Sequence, residues 1–272
     1  MIIAQITDFH IRARGKLAYR VVDTASYLAA AVRAIGALNP APDLVIATGD
    51  LCDFGRPDEY DLLRELLAPL ACPVYVIPGN HDDRDAMRHA FADQGLLPRS
   101  GFLQYTVEHH PVRLVALDTL IPGEGGGRLC AERLEWLDRR LAEAPDRPTA
   151  IIMHHPPFRT GIAHMDRIGL EGSDGFAEVL ARHSQVERVF CGHLHRSIQA
   201  RIGPHAIAST APSTAHQVAL DLDPHGASAF VMEPPGYQLH LRTETGFVSH
   251  TGLIGDFPGP FPFRTAGALI DD

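Results

Sequence analysis

The apolar positions of this chain follow two alternating patterns. Short runs rich in β-branched residues, set off by glycine or proline, occupy residues 2–6, 44–47, 74–77, 150–153 and 189–190, and they read as buried strands. Between them, residues 22–38, 58–70, 83–91, 130–142 and 174–182 carry apolar side chains at three- and four-residue spacing, the signature of amphipathic helices. Pro57 and Asp174 supply helix-start signals. Stretches 102–107 and 113–117 lie close together in sequence and read as a hairpin, so the sheet they join is expected to be mixed. After about residue 197 the helical pattern gives way to short runs at 206–209, 217–222, 228–232, 237–242 and 246–250, broken by Gly, Pro and Asp. That predicts an antiparallel β sector forming a second sheet packed on the first. Residues 255–263 hold too much proline for a helix or a central strand. The expected division is one unit over 1–254 and a Pro/Phe-rich tail over 255–272. The tail phenylalanines predict either a cover, such as a contact in a homo-oligomer, or a disordered end.

Composition narrows the class. The 272 residues are 45% hydrophobic and 21% charged with a formal net charge of −9, which disfavours a nucleic-acid scaffold or an anionic membrane surface as partner. No stretch approaches the ~20 apolar residues that span a bilayer. The amino terminus opens directly on a strand, without a basic n-region or cleavage site. Cys52, Cys72, Cys130 and Cys191 are scattered without a C-x-x-C pair, so no disulfide framework is expected. A cytoplasmic protein is the expectation.

Candidate chemistry sits where the strand runs end. Asp8-Phe9-His10 follows the first, Gly49-Asp50 the second, Gly79-Asn80-His81-Asp82 the third, His154-His155-Pro156-Pro157 the next, and Gly192-His193-Leu194-His195 the last. Ligand sites of α/β sheets gather beyond the carboxyl ends of strands, so the five clusters can converge. Imidazoles with carboxylates suit Zn, Fe, Mn or Co. Two residues apart, Asp8 and His10 share a side if the backbone stays extended, and so do His193 and His195. Asp50, with two oxygens, can bridge two ions, and Gly49 lets the backbone turn sharply before it. Taken singly, Asp8, Asp50 and Asn80 read equally well as helix caps or Asx-turns. His155, His164, His183 and His205 read as ordinary buried histidines. Five such clusters at five successive strand ends point instead to a metal-dependent enzyme.

In this order the motifs D-x-H, G-D, G-N-H-D, a strand-end His and G-H-x-H resemble those of the calcineurin-like metallophosphoesterases, over about 190 residues. The resemblance implies an α/β fold, a four-layer α/β/β/α sandwich of two mixed sheets. It implies two divalent metal ions, one on Asp8, His10, Asp50 and His195, the other on Asp50, Asn80, His154 and His193. More narrowly, residues 55–60, 77–83, 153–157 and 191–193 look like those of bacterial glycerophosphodiesterases and the related class III cyclic-nucleotide phosphodiesterases. Residues 214–218, around His216, are similar to the glycerophosphodiesterase segment at the mouth of the active site. The serine/threonine protein phosphatases are less similar, because Phe54 and Pro78 stand where they carry arginines.

The expected activity is hydrolysis of a small phosphodiester, glycerophosphodiesters foremost, by a hydroxide held between the two cations. Neither Gly-x-Ser-x-Gly nor a cysteine with recognisable partners offers a protein nucleophile. His81 is the candidate for binding the phosphoryl group or protonating the leaving alcohol. Asp53 stands where the protein phosphatases place an aspartate that orients this histidine, and reads equally as a solvated loop carboxylate. Arg12, Tyr19 and His216 are further substrate-binding candidates. Alternatives are a 3′,5′-cyclic-nucleotide (cAMP) phosphodiesterase, and a non-catalytic scaffold that should lack several ligands, whereas this chain lacks none.

Overall fold

The computed structural model describes residues 1–265 and 268–270; the end of the tail, 266–267 and 271–272, lies outside them. Its frame is two mixed sheets. In the first, the parallel strands Ile2–Ile6, Leu44–Ala47 and Val74–Val76 lie side by side, and the hairpin Gly236–Thr243/Gly246–Leu253 continues the sheet antiparallel to Ile2–Ile6. In the second, Arg113–Ala116, Thr149–Ile152, Val186–Cys191 and Ala206–Thr210 run parallel, with Tyr105–Val107 and Ile198–Ile202 antiparallel at the two edges.

Burial separates four layers. Alternation along a strand sends successive side chains to opposite faces. Ala4, Ile6, Val45 and Ala47 therefore pack under helices Thr24–Gly36, Pro57–Leu67 and Arg84–Ala90, in a cluster that includes Leu28, Tyr60 and Met87. Ile3, Leu44 and Ile46 face the other way and meet Leu114, Ile152 and Phe190 of the second sheet. Val115, Ile151 and Val189 pack under helices Ala131–Ala142 and Ser173–Arg182. The order is helix, sheet, sheet, helix, as the resemblance implied.

The chain after residue 197 departs from expectation. Instead of one second sheet it supplies strands to both: Ile198–Ile202 and Ala206–Thr210 extend the second sheet, Gly236–Leu253 extends the first, and only the short pairs Gln217–Val218 with Phe230–Val231 and Arg264–Thr265 with Ala268–Leu269 stand apart among the described residues. Sequence reading also missed Ile198–Ile202 as a strand. Its burial alternates between half-buried and exposed, because it is an edge strand with one covered face. A polar seam pins the layers together. Gln5, fully buried, donates to the Thr48 hydroxyl (3.0 Å) and the Cys191 carbonyl (2.8 Å), and its amide oxygen lies 3.0 Å from His240 Nε2. His240 in turn stacks on Phe190 at 4.0 Å.

All the parallel strands of both sheets end on the same side, and the loops leaving them stay paired for several residues. Asp8 N donates to Gly49 O, His10 N to Asp50 O and Asp53 N to Ile11 O, at 3.0–3.1 Å. The candidate residues are thus carried on two interlocked loops. Beyond residue 254 the tail forms one short pairing, Arg264–Thr265 with Ala268–Leu269.

Candidate metal centre

The first loop does not stay extended. Asp8 and His10 have φ of 55° and 47°, and His193 and His195 have 71° and 51°. Their side chains share one side because alternate residues adopt the left-handed conformation, which corrects the extended-strand reasoning. Asp50 is also left-handed, at 50°. Among the described residues only Tyr19 and Arg20 join these five as non-glycine positions with positive φ. Such positions cost about 1–2 kcal/mol each, so they persist only where the surroundings hold them. Here the Thr24 hydroxyl donates to His10 O (2.9 Å), Ser213 Oγ to Asp8 O (2.8 Å), and His193 N to both Asp8 carboxylate oxygens (3.1 Å each).

The seven expected ligands lie together. His195 Nε2 is 3.2 Å from His10 Nε2 and 3.5 Å from Asp8 Oδ1, and His10 Nε2 is 3.7 Å from Asp50 Oδ2. That same Oδ2 is 3.4 Å from His154 Nε2, and Asn80 Oδ1 is 3.2 Å from His154 Nε2 and 3.1 Å from His193 Nδ1. One carboxylate oxygen therefore touches both groups. Ligands bound at about 2.0–2.2 Å to a common ion sit about 3 Å apart, which is the spacing found in each group.

The protons decide whether a cation fits. His154 Nδ1 donates to Thr48 O (2.8 Å), His193 Nε2 to Ile168 O (3.0 Å) and His195 Nδ1 to His216 O (2.8 Å). A carbonyl only accepts, so each contact fixes a ring proton on the outer nitrogen and turns the other nitrogen inward. Burial keeps His193 well below its usual pKa and lowers His195 to about 4, so both rings are neutral. Their inner nitrogens then present lone pairs to Asn80 Oδ1 and Asp8 Oδ1. Acceptors facing acceptors call for a cation between them. At His154 burial opposes charge, yet the Asp50 carboxylate pushes its pKa up to about 9; Asp50, despite burial, is held well below the carboxylate range by His154 and His81. Both groups of residues fit divalent ions.

Glycines let the loops approach. A Cβ on Gly49 (φ 92°) would lie 2.5 Å from His154 Nδ1, and one on Gly79 would run into the Asp50 backbone and carboxylate. Asp82, to which sequence reading gave no role, ties the loops: its carboxylate accepts from Leu51 N, Cys52 N, Gly79 N and the Tyr60 hydroxyl at 2.8–3.2 Å. Its position after Asn80 and His81 was visible, but nothing local distinguished a clamp from a ligand.

The other candidates divide. His81 lines the cleft one-third exposed; its Nδ1 donates to the Asp53 carbonyl at 2.9 Å, while the Asp53 carboxylate is 3.6 Å away. The Asp53 carboxylate lies instead 3.3 Å from His10 Nδ1 and 3.2 Å from Arg12. Arg12 also lies 3.6 Å from Glu59 and over the Phe54 ring. His216 packs its ring between His10, His195, Tyr19 and Phe230, and burial drives its pKa down to about 2. Tyr19 closes the same wall, with its pKa pushed up to about 12 by burial and the nearby Asp53 and Asp50. His155 is satisfied by Thr119 Oγ1 (2.8 Å) and Gly125 O (3.2 Å), as a core histidine should be. His164 is not a core residue but half-buried on the cleft, on the short helix Ala163–Asp166 whose Met165 takes the buried side, and His205 is exposed on the turn between Ile198–Ile202 and Ala206–Thr210.

Asp50→Ala removes the oxygen shared by both groups while leaving the sheet cores intact. The expected outcome is at most one tightly held metal per chain by elemental analysis, with a preserved circular-dichroism spectrum. Two tightly held ions in the variant would sink the bridging assignment.

Comparison with known proteins agrees with this geometry. The family described as calcineurin-like phosphoesterase matches residues 1–197. A probable glycerophosphodiester phosphodiesterase GpdQ of Arcobacter nitrofigilis is 42% identical over 274 residues, all of both chains. The 3′,5′-cyclic adenosine monophosphate phosphodiesterase CpdA of Escherichia coli is 33% identical over 257 residues, 93% of this chain and 90% of that one. Among solved structures, a dimetal phosphatase from Danio rerio superposes with a TM-score of 0.63 at 16% identity, over 94% of this chain and 99% of that one, a likeness of fold. This chain belongs to the calcineurin-like phosphoesterases, a family of metal-dependent phosphoesterases.

Proposed function

We propose that the chain hydrolyses small phosphodiesters, glycerophosphodiesters foremost, at two divalent ions: Asp8, His10, Asp50 and His195 hold one, and Asp50, Asn80, His154 and His193 the other. The observation that carries this reading is Asp50 Oδ2, in reach of His10 on one side and His154 on the other. The donor set suits Fe, Mn, Zn or Co. When bound, such ions supply Lewis acidity, bringing a water's pKa toward neutrality and offsetting phosphoryl charge. The relatives' names support the diester class, and hydrolysis of 3′,5′-cyclic nucleotides is the adjacent activity that CpdA's name supports.

The protein's own part is placement and proton transfer. The Thr48, Ile168 and His216 carbonyls hold three imidazoles with their inner nitrogens free to take the ions. His81 keeps its Nδ1 proton on the Asp53 carbonyl, which leaves Nε2 for the cleft. Burial opposes charge on His81, but Asp50, the Asp53 carbonyl and the Asp53 and Asp82 carboxylates together outweigh it and raise the pKa, which favours a ring proton that His81 can pass to the departing alkoxide. Asp53 positions His81 through its carbonyl.

Charge favours diesters. A monoester dianion calls for arginines beyond the metals. Arg12 is engaged by Asp53 and Glu59, Arg84 is held by both Asp118 oxygens at 2.7 and 2.9 Å, and Phe54 stands exposed at the mouth. A diester carries one negative charge, which the ions and His81 can offset.

The tail supports a subunit contact. Phe257, Phe261 and Phe263 are 59%, 75% and 88% exposed and follow the hairpin that closes a unit over 1–254, so a second copy of the chain is the cover we infer. Four free cysteines support a compartment that keeps thiols reduced. No helix among the described residues is long and apolar enough to cross a membrane.

Three outcomes test these readings. At one pH and metal loading, kcat/KM for bis(p-nitrophenyl) phosphate should exceed that for p-nitrophenyl phosphate; a clear monoester preference overturns the diesterase reading. His81→Ala should keep two metals and lose about 10²–10⁴-fold in rate on alkyl diesters, with a smaller loss on aryl diesters that need no acid. Equal losses on both would remove the acid role. Truncation after Ile254 should shift the protein to a smaller assembly in sedimentation, and an unchanged size would leave the tail without that role.

A further inference from the structure

Outside the inner chamber the cleft continues into a cavity of about 930 Å³ that shares Tyr19, Asn80 and His81 with it and is also lined by Asp53. Lys16, Arg20 and Glu124 line it as well. Arg12 is paired there with Asp53 and Glu59, whereas Lys16 and Arg20 have no side-chain hydrogen bond or ion pair among the described residues. Neither borders the chamber that Asp50, His193 and His195 line.

The backbone holds Arg20 in place in an uncommon way. Ala18 and Val22 pair as a bridge, Val21 N donates to Ala18 O at 3.1 Å, and the two central residues of the turn, Tyr19 and Arg20, have φ of 48° and 66°. Turns with two left-handed central residues normally carry Asn-Gly. Here a tyrosine and an arginine occupy them, one packing over His216 and the other facing the outer cleft. Left-handed strain on bulky residues gathers at ligand-contacting sites.

We infer that this outer cavity seats the alcohol arm of the diester, and that Lys16 and Arg20 select an arm bearing a negative charge. The inference rests on the diesterase reading. His81 stands at the junction, so the alcohol it protonates departs into the cavity. Arg12, Lys16 and Arg20 against Asp53 and Glu124 leave the cavity lining one charge positive, in a chain whose net charge is −9. A carboxylate-bearing arm gains two attractions there, and a quaternary ammonium meets two repulsions.

The test uses three diesters of glycerol phosphate whose second alcohol is glycolate, ethylene glycol or choline, with the metal-loaded full chain. In the parent, kcat/KM should fall in that order, through KM, and the spread should narrow as salt rises. The variant pairs Lys16→Ala with Arg20→Asn, since asparagine tolerates the left-handed conformation and spares the turn. It should lower the glycolate-to-ethylene-glycol ratio about three- to tenfold, the range of two exposed charge pairs, and Arg20→Lys should retain most of the ratio. An unaltered ratio, or equal losses on all three arms, overturns the anionic subsite. If the parent hydrolyses none of the diesters, the diesterase reading fails instead.

Discussion

The Asp50 carboxylate is the contact on which the rest of the site depends. Its Oδ2 lies 3.7 Å from His10 and 3.4 Å from His154, so it spans loops from the two sheets, and its Oδ1 accepts the backbone N–H of His81 at 2.9 Å. A buried carboxylate is tolerated only when paired and hydrogen-bonded. The fold meets that condition by bringing His154 from one sheet, and His10 and His81 from the other, to the same point. Gly79 is small because any side chain there would collide with Asp50. Asp82 then ties the Gly79 loop to Leu51 and Cys52, so a second buried carboxylate fixes the position of the first.

The left-handed backbone has the same origin. Five of the expected ligands depart from strand ends in a conformation that side chains ordinarily avoid. The departure turns alternate side chains inward while the intervening Phe9 and Leu194 remain buried in apolar clusters behind them. Hydrogen bonds to the backbone of these loops, from Thr24 and Ser213 on one side and to Asp8 on the other, offset the strain. A rigid site follows, with imidazole orientation set by main-chain carbonyls and not by flexible side chains. Tyr19 and Arg20 extend this strained backbone to the cleft wall, so the same device that orients ligands also shapes what the cleft can hold.

Much of this was legible in the sequence. Ile2–Ile6 and Leu44–Ala47 coincide with their apolar runs, and the helices differ from expectation by at most a few residues at their ends, because buried parallel strands and amphipathic helices carry strong local patterns. The motif residues at five strand ends pointed to one place, since parallel strands deliver their carboxyl ends to one side of a sheet. What tertiary structure alone decided concerns partners far apart in sequence. The hairpin Gly236–Leu253 pairs with the first strand, some 235 residues earlier, a choice of sheet that no local pattern encodes. Asp53 meets His81 through its carbonyl and His10 through its carboxylate, and the sequence left that role open. Asp8 and His10 share a side through left-handed turns and not an extended strand, a matter of long-range hydrogen bonds from Thr24 and Ser213. Residue identity by itself determined which chemistry was available; the contacts between loops of different sheets decided where each proton sits, and so which lone pairs face inward.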